Sequence, residues 1–68
     1  MLKAASKVRI GDRLMSCEGA PMVREILAGK VPDVVGFRVT GGRVIWRRVE
    51  DMVKAKRATT AEKYYESL

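Results

Sequence analysis

The sequence contains no histidine and only one cysteine, Cys17. Without histidine it lacks the usual proton shuttle at neutral pH, and it lacks the Ser–His and Cys–His pairs that activate nucleophiles. A zinc-type site needs several cysteine or histidine ligands, which one cysteine cannot supply. The carboxylates show no useful pairing, since Glu50 and Asp51 are sequence neighbours that face apart in most backbones. We therefore predict no catalytic residue, no metal site and no cofactor, and a chain that is not an enzyme.

Long apolar runs are also missing. No stretch approaches the roughly 18–20 apolar residues that a membrane-spanning helix needs. The first twelve residues carry charge but no apolar block of the kind found in secretory signals. A single cysteine suits a reducing compartment. These features predict a cytoplasmic protein without a membrane partner.

Acidic residues and aromatic residues are both scarce. Fourteen Lys and Arg stand against eight Asp and Glu, which gives a net charge of +6, and aromatic residues make up only 6% of the chain. A basic balance of this size attracts polyanions, although so few aromatic side chains provide no obvious stacking platform. At 68 residues the chain is one domain near the lower size limit for independent folding. A homo-oligomer would supplement so small a core.

Turn-forming residues divide the chain at intervals of about ten residues. Gly and Pro clusters near residues 11, 19–21, 29–32 and 41–42 separate short runs rich in Val, Ile, Leu and Met. This spacing indicates an all-β fold, and we predict a small five-stranded SH3-like barrel over residues 1–58. Residues 49–52 look like one helical turn before a last strand.

The last ten residues have a different pattern. Thr59 and Glu62 form a capping-box signature, and Ala61, Tyr65 and Leu68 would share one side of a helix. So short a helix is not stable alone in water. We therefore predict a short C-terminal helix or docking tail over residues 59–68.

The strands at the start of the domain are expected to point Val8, Ile10 and Leu14 inward. The central hairpin is expected to turn on Gly41 and Gly42 as a two-residue loop. Its register would then put Phe37 opposite Trp46 in the core. Arg38, Arg43, Ile45 and Arg47 would share the opposite, exposed face. A one-residue slip would reverse this assignment and expose Trp46 among the arginines.

Residues 10–26 resemble the start of KOW-type barrels of ribosomal and transcription-elongation proteins. The residues in comparable places are Gly11, Asp12, Leu14, Gly19, Val23 and Ile26. This resemblance implies a small SH3-like barrel in a nucleic-acid context. The same stretch is similar to the opening strands of intein and hedgehog-type self-processing domains. Those domains need a histidine and a nucleophile at the excision point, so we expect none of their activity here.

The leading hypothesis is a non-enzymatic module that binds DNA or RNA. Arginine side chains suit phosphate oxygens, and binding through them weakens with salt. The residues expected to contact phosphates are Arg38, Arg43, Arg47, Arg48, Lys54, Lys56 and Arg57. The alternative is that the same charges only keep a small barrel soluble.

The rival hypothesis is a small protein-interaction adaptor or inhibitor that binds an acidic partner or associates with itself. Its contact residues would be Ile45, Tyr64, Tyr65 and Leu68. Deleting residues 59–68 would separate the two hypotheses, because only a docking tail would lose assembly while nucleic-acid binding is retained.

Overall fold

A computed structural model describes residues 2–59 of the chain. Six strands follow one another, interrupted early by a single 3-10 turn at Ala5–Lys7. The strands are β1 (Leu2–Ala4), β2 (Asp12–Leu14), β3 (Val23–Ala28), β4 (Val34–Val39), β5 (Val44–Arg48) and β6 (Met52–Arg57).

The strands form two three-stranded antiparallel sheets. One has the order β1-β6-β2 and the other the order β3-β4-β5. Backbone hydrogen bonds near the β2–β3 connection join the sheets, since Gly11 N–H donates to Val23 O and Leu14 N–H donates to Pro21 O, each at 2.9 Å. The predicted all-β class is confirmed. Within residues 2–59, however, the strands do not form a closed five-stranded barrel. The predicted C-terminal helix lies outside the described residues except for Thr59, which follows β6 without belonging to a helix or strand.

The core lies between the two sheets. Its largest fully buried side chains, Phe37, Val23 and Val39, come from the β3-β4-β5 sheet. The other sheet contributes Leu14, Val53 and Ala55. Along β6 the buried residues alternate with exposed Met52, Lys54 and Lys56, as expected when one strand face is covered.

The N-terminal part of the chain folds differently from the prediction. Val8 and Leu14 are buried as expected, but Ile10 is 61% exposed. Gly11, with φ at 95°, turns the chain at this point, so that Ile10 lies outside the strand pattern. Residues 49–51 form a turn rather than a helical turn, and β6 begins at Met52.

The hairpin of β4 and β5 has a loop one residue longer than predicted. Val39 N–H donates to Arg43 O at 3.0 Å, so three residues close the loop, with Gly41 and Gly42 both at positive φ. The register then pairs Gly36 with Trp46 and Phe37 with Ile45. A shift of one residue sends every side chain of β5 to the other face. The predicted core position of Trp46 and exposed position of Ile45 are therefore both wrong, because Trp46 is 48% exposed and Ile45 packs against the core.

Candidate functional site

The outward side of the β3-β4-β5 sheet carries the most unusual surface in residues 2–59. Its register places alternate residues of each strand on that side. We call this surface the Trp46 face; it comprises Glu25, Leu27, Val34, Gly36, Arg38, Val44, Trp46 and Arg48. It combines a large exposed aromatic ring, two arginines and a half-buried aliphatic border.

Trp46 lies flat on the sheet over Gly36. A β-carbon added to Gly36 would lie 2.7 Å from Cζ3, 2.9 Å from Cε3 and 3.0 Å from Cη2 of Trp46. Three neighbouring ring atoms at nearly equal distances place that point above the ring face and not beyond its edge. The glycine therefore makes room for the ring, a role typical of glycine inside a strand. One face of the indole covers the backbone of β4, and about half of the residue's surface remains exposed.

A shallow depression of about 360 Å³ lies beside the ring. It is lined by Gly29, Lys30, Val31, Val34 and Trp46. Its floor is largely aliphatic, and Lys30 adds a positive charge at the connection between β3 and β4. The sequence alone did not single out Lys30, which is one lysine in a short turn. A glycine in the middle of a strand, Gly36, was the sequence feature that could have indicated space for the Trp46 ring.

The two arginines of the Trp46 face have carboxylate partners. Arg38 Nε donates to Glu25 Oε1 at 2.9 Å, and Arg48 Nη2 lies 3.1 Å from Asp51 Oδ1. The hydrogen bond from Arg48 to Asp51 and the charge of Asp51 raise the pKa of Arg48 above its ordinary value, with Glu50 adding to the effect. These pairs are solvent-exposed and screened, so they hold the side chains in place only weakly. A phosphate group can therefore compete for both arginines.

Arg43 and Arg47 lie on the other side of β5. Arg43 Nη2 donates to Glu18 O at 3.2 Å, and Arg47 Nη1 donates to Trp46 O at 2.8 Å. The one-residue register difference moves them away from Arg38. The predicted grouping of Arg38, Arg43 and Arg47 on one hairpin face is therefore wrong.

The three cations of β6 belong to the other sheet. Lys54 and Lys56 point outward from it, and Arg57 is exposed near the end of the strand. The core separates the outward sides of the two sheets, so the structure does not join these residues to the Trp46 face. Of the seven predicted phosphate contacts, only Arg38 and Arg48 lie on the same face as Trp46. Tyr64, Tyr65 and Leu68 lie outside the described residues.

Other kinds of site are not evident in residues 2–59. This part of the chain has no group of three or more histidine, cysteine or acidic residues placed to hold a metal ion. Cys17 is half-buried against the core. Within the same residues no helix has the length and apolar character required to cross a membrane.

Comparison with known proteins adds no family to this description. No protein-family model matches the chain, and no curated protein or solved structure matches it significantly. The geometry of the Trp46 face and the charge of the chain are therefore the features from which a function can be inferred.

Proposed function

We propose that the chain is a non-enzymatic module that binds single-stranded nucleic acid through the Trp46 face. Trp46 stacks on a base, and the neighbouring cations contact the phosphates on either side. The exposed ring seated on Gly36 is the observation that carries this proposal. A ring whose inner face is supported by the backbone offers its outer face at little entropic cost. Such stacking is tolerant of sequence because every base has a flat π face.

In this proposal three cations near Trp46 contact the phosphates beside the stacked base. Arg38 and Arg48 occupy strand positions next to Trp46 on the same face, and Lys30 lines the adjoining depression. The bases of a duplex stack on one another and are not available to the Trp46 ring, whereas a single strand can present its bases to it. The net charge of +6 draws the strand towards the protein from a distance. The other predicted cations, Arg43, Arg47, Lys54, Lys56 and Arg57, contribute to this long-range field in the proposal.

A relation to KOW-type SH3-like barrels is part of the same hypothesis. The resemblance covers residues 10–26 and implies a nucleic-acid context, which agrees with the proposed ligand class. The relation concerns ancestry and does not depend on the Trp46 face.

The first test is a titration with labelled DNA and RNA oligomers at two salt concentrations. Trp46→Ala should weaken binding roughly 5- to 150-fold, the range expected for loss of one stacked base. The salt dependence of oligomer binding should be the same in this variant as in the wild type, because no phosphate contact is lost. Arg48→Ala should instead reduce the slope of log affinity against log salt by about 0.7, the value for one phosphate contact on a single strand.

Met52→Ala is the matched control, since Met52 is a large exposed side chain on the other sheet. It should leave affinity unchanged. Equal losses for Met52→Ala and Trp46→Ala, or binding that does not respond to Trp46→Ala, would refute the Trp46 face as the site. Absence of binding at low salt would refute the function itself.

The depression beside Trp46 supports a second candidate, a protein-interaction module. Its aliphatic floor, with exposed Val31 at the rim, would suit an apolar side chain of an acidic partner. In that case Val31→Ser should reduce partner binding as strongly as Trp46→Ala, and oligonucleotides should not compete. Ile45 is less suited to this role than predicted, because it packs against the core.

A further inference from the structure

The depression beside Trp46 has the size and lining of a site for one flat ring. Val31 and Val34 give it an aliphatic floor, and Lys30 is the charged residue of its lining. Its volume of about 360 Å³ lies near the lower end of the range for small-ligand pockets, about 300–1,000 Å³. A single nucleobase is a ligand of this class. The depression can therefore take a second base next to the one on Trp46.

The register of the sheet separates the depression from the Trp46 ring by one step. Val34 pairs with Arg48 and Gly36 pairs with Trp46, so the two positions are two residues apart along each strand. This step is about 6.8 Å in an antiparallel sheet, or twice the rise of about 3.4 Å per nucleotide in one strand of DNA. A base in the depression is therefore unstacked from its neighbour on Trp46, which is the state in which proteins read single strands.

Lys30 differs from the arginines of the Trp46 face in its surroundings. Arg38 and Arg48 each have a carboxylate partner, whereas none of the ion pairs formed within residues 2–59 involves Lys30. Lys30 is exposed, and an ammonium group carries three N–H donors and no acceptor. It can therefore donate to the edge of a base while another of its N–H groups contacts a phosphate.

A side chain with donors alone selects a base edge that offers only acceptors. The edge of guanine that faces the major groove of a duplex presents two adjacent acceptors, N7 and O6. Adenine places an N6 amino donor beside N7, and cytosine presents an N4 amino donor, so both oppose an ammonium group. Thymine offers one carbonyl acceptor there, on a smaller ring. Guanine is therefore the base that best matches Lys30 and the aliphatic floor.

We propose that the depression is a guanine subsite. The nucleotide next to the one stacked on Trp46 lays its base on Val31 and Val34, and Lys30 donates to O6 and N7 of that base. Arg48, which pairs with Val34, contacts the phosphate between the two nucleotides. The subsite rests on the single-strand binding proposed above and adds a base preference to it.

A panel of thymidine octamers measures this preference. Each octamer carries one guanine, adenine or cytosine near its centre and is titrated with the full-length chain at one salt concentration. The guanine octamer should bind about fivefold more tightly than the other two, the lower end of the range for one specific base contact. An octamer with 7-deazaguanine in place of guanine should lose part of this advantage, because it lacks the N7 acceptor.

Lys30→Met removes the ammonium group and keeps an unbranched side chain. It should bring the three octamers to the same affinity, because the donor that distinguishes them is gone. Lys54→Met is the matched control at an exposed position of the other sheet, and it should leave the guanine preference unchanged. Arg48→Ala should weaken binding of all three octamers equally, since a phosphate contact carries no base information. Circular dichroism reports whether each variant remains folded.

The outcomes separate the guanine subsite from the single-strand site. Equal binding of the three octamers by the wild-type chain, with all three weakened by Trp46→Ala, would overturn the subsite and leave the single-strand site in place. A guanine preference that persists in Lys30→Met would also overturn it, because another group would then read the base. Absence of binding by every octamer at low salt would overturn both proposals.

Discussion

Asp12 carries a charge yet is only 2% exposed. Lys3 Nζ and the Arg9 N–H both donate to Asp12 Oδ2, which ties the N-terminal strand to the start of β2. Burial by itself raises the pKa of Asp12, but the hydrogen bonds from Lys3 and Arg9 and the charges of Lys3 and Arg57 outweigh it. The net pKa of Asp12 is therefore below its ordinary value. A carboxylate held in this way stabilises the fold only while it is ionised.

The pH dependence of stability should reveal this contribution. The pKa of Asp12 is lower in the folded chain than the value of about 3.9 expected when unfolded, so its contribution is complete above about pH 4. It is lost as the pH falls through the folded pKa. Asp12→Asn should lower the free energy of unfolding by about 1–3 kcal/mol at pH 7 and flatten the loss in acid. Urea denaturation between pH 7 and pH 2 measures both effects.

Asp33→Asn is a suitable control because Asp33 is exposed. It should shift stability by no more than about 0.5 kcal/mol at pH 7. An Asp12→Asn variant whose stability matched that of the wild type at pH 7 would contradict the structural role of the carboxylate.

At the scale of the element, the β4–β5 loop decides which surface the protein presents. Gly41 and Gly42 have φ values of 96° and 93°, which ordinary L-residues rarely adopt. They allow a three-residue loop, and this loop length puts Trp46 outside and Ile45 inside. The Trp46 face therefore depends on two glycines that do not belong to it.

Substitution of Gly42 tests this dependence. Gly42→Ala should destabilise the chain by about 1–2 kcal/mol, because an L-residue is strained at positive φ. Steric clash does not cause this loss of stability, since nothing lies within 4 Å of a β-carbon at this position. D-Alanine at residue 42, introduced by chemical synthesis, favours positive φ and should restore the lost stability. Thermal unfolding of the two chains compares them, and equal destabilisation by both enantiomers would contradict the backbone explanation.

At the scale of the whole molecule, a small core holds two sheets together. Phe37 is its largest buried side chain and lies on β4, the central strand of its sheet. In a domain this small the core rarely supplies more than about 3–5 kcal/mol of net stability. The fold should therefore respond sharply to any loss of volume at the centre.

Phe37→Ala should leave the chain mostly unfolded at 25 °C. The expected loss of about 3–5 kcal/mol is as large as the stability that such a core provides. Leu2→Ala, at an exposed position of β1, should change stability by no more than about 0.5 kcal/mol. Urea denaturation followed by circular dichroism distinguishes them. A cooperative transition at unchanged urea concentration in Phe37→Ala would contradict the central position of this ring.

Much of the fold was predictable because it depends on local pattern. The turn residues and β-rich runs indicated an all-β chain, and the alternation along β4 correctly placed Phe37 inside. The position of Ile10 was not predictable, because the bend at Gly11 removes it from the strand pattern. The position of Lys30 beside Trp46 was not predictable either, since it depends on how β3, β4 and β5 align.

The sequence by itself determined the class of the fold, the basic charge and the lack of histidine chemistry. Each of these follows from composition or from local alternation. Only the tertiary structure decided which face of β5 is exposed. Val44, Ile45 and Trp46 are three consecutive apolar residues, so either face of the strand could enter the core. The exposed face of β5 is set by loop closure between Val39 and Arg43 and by the packing of Trp46 on Gly36, and both contacts join residues from the two sides of the hairpin.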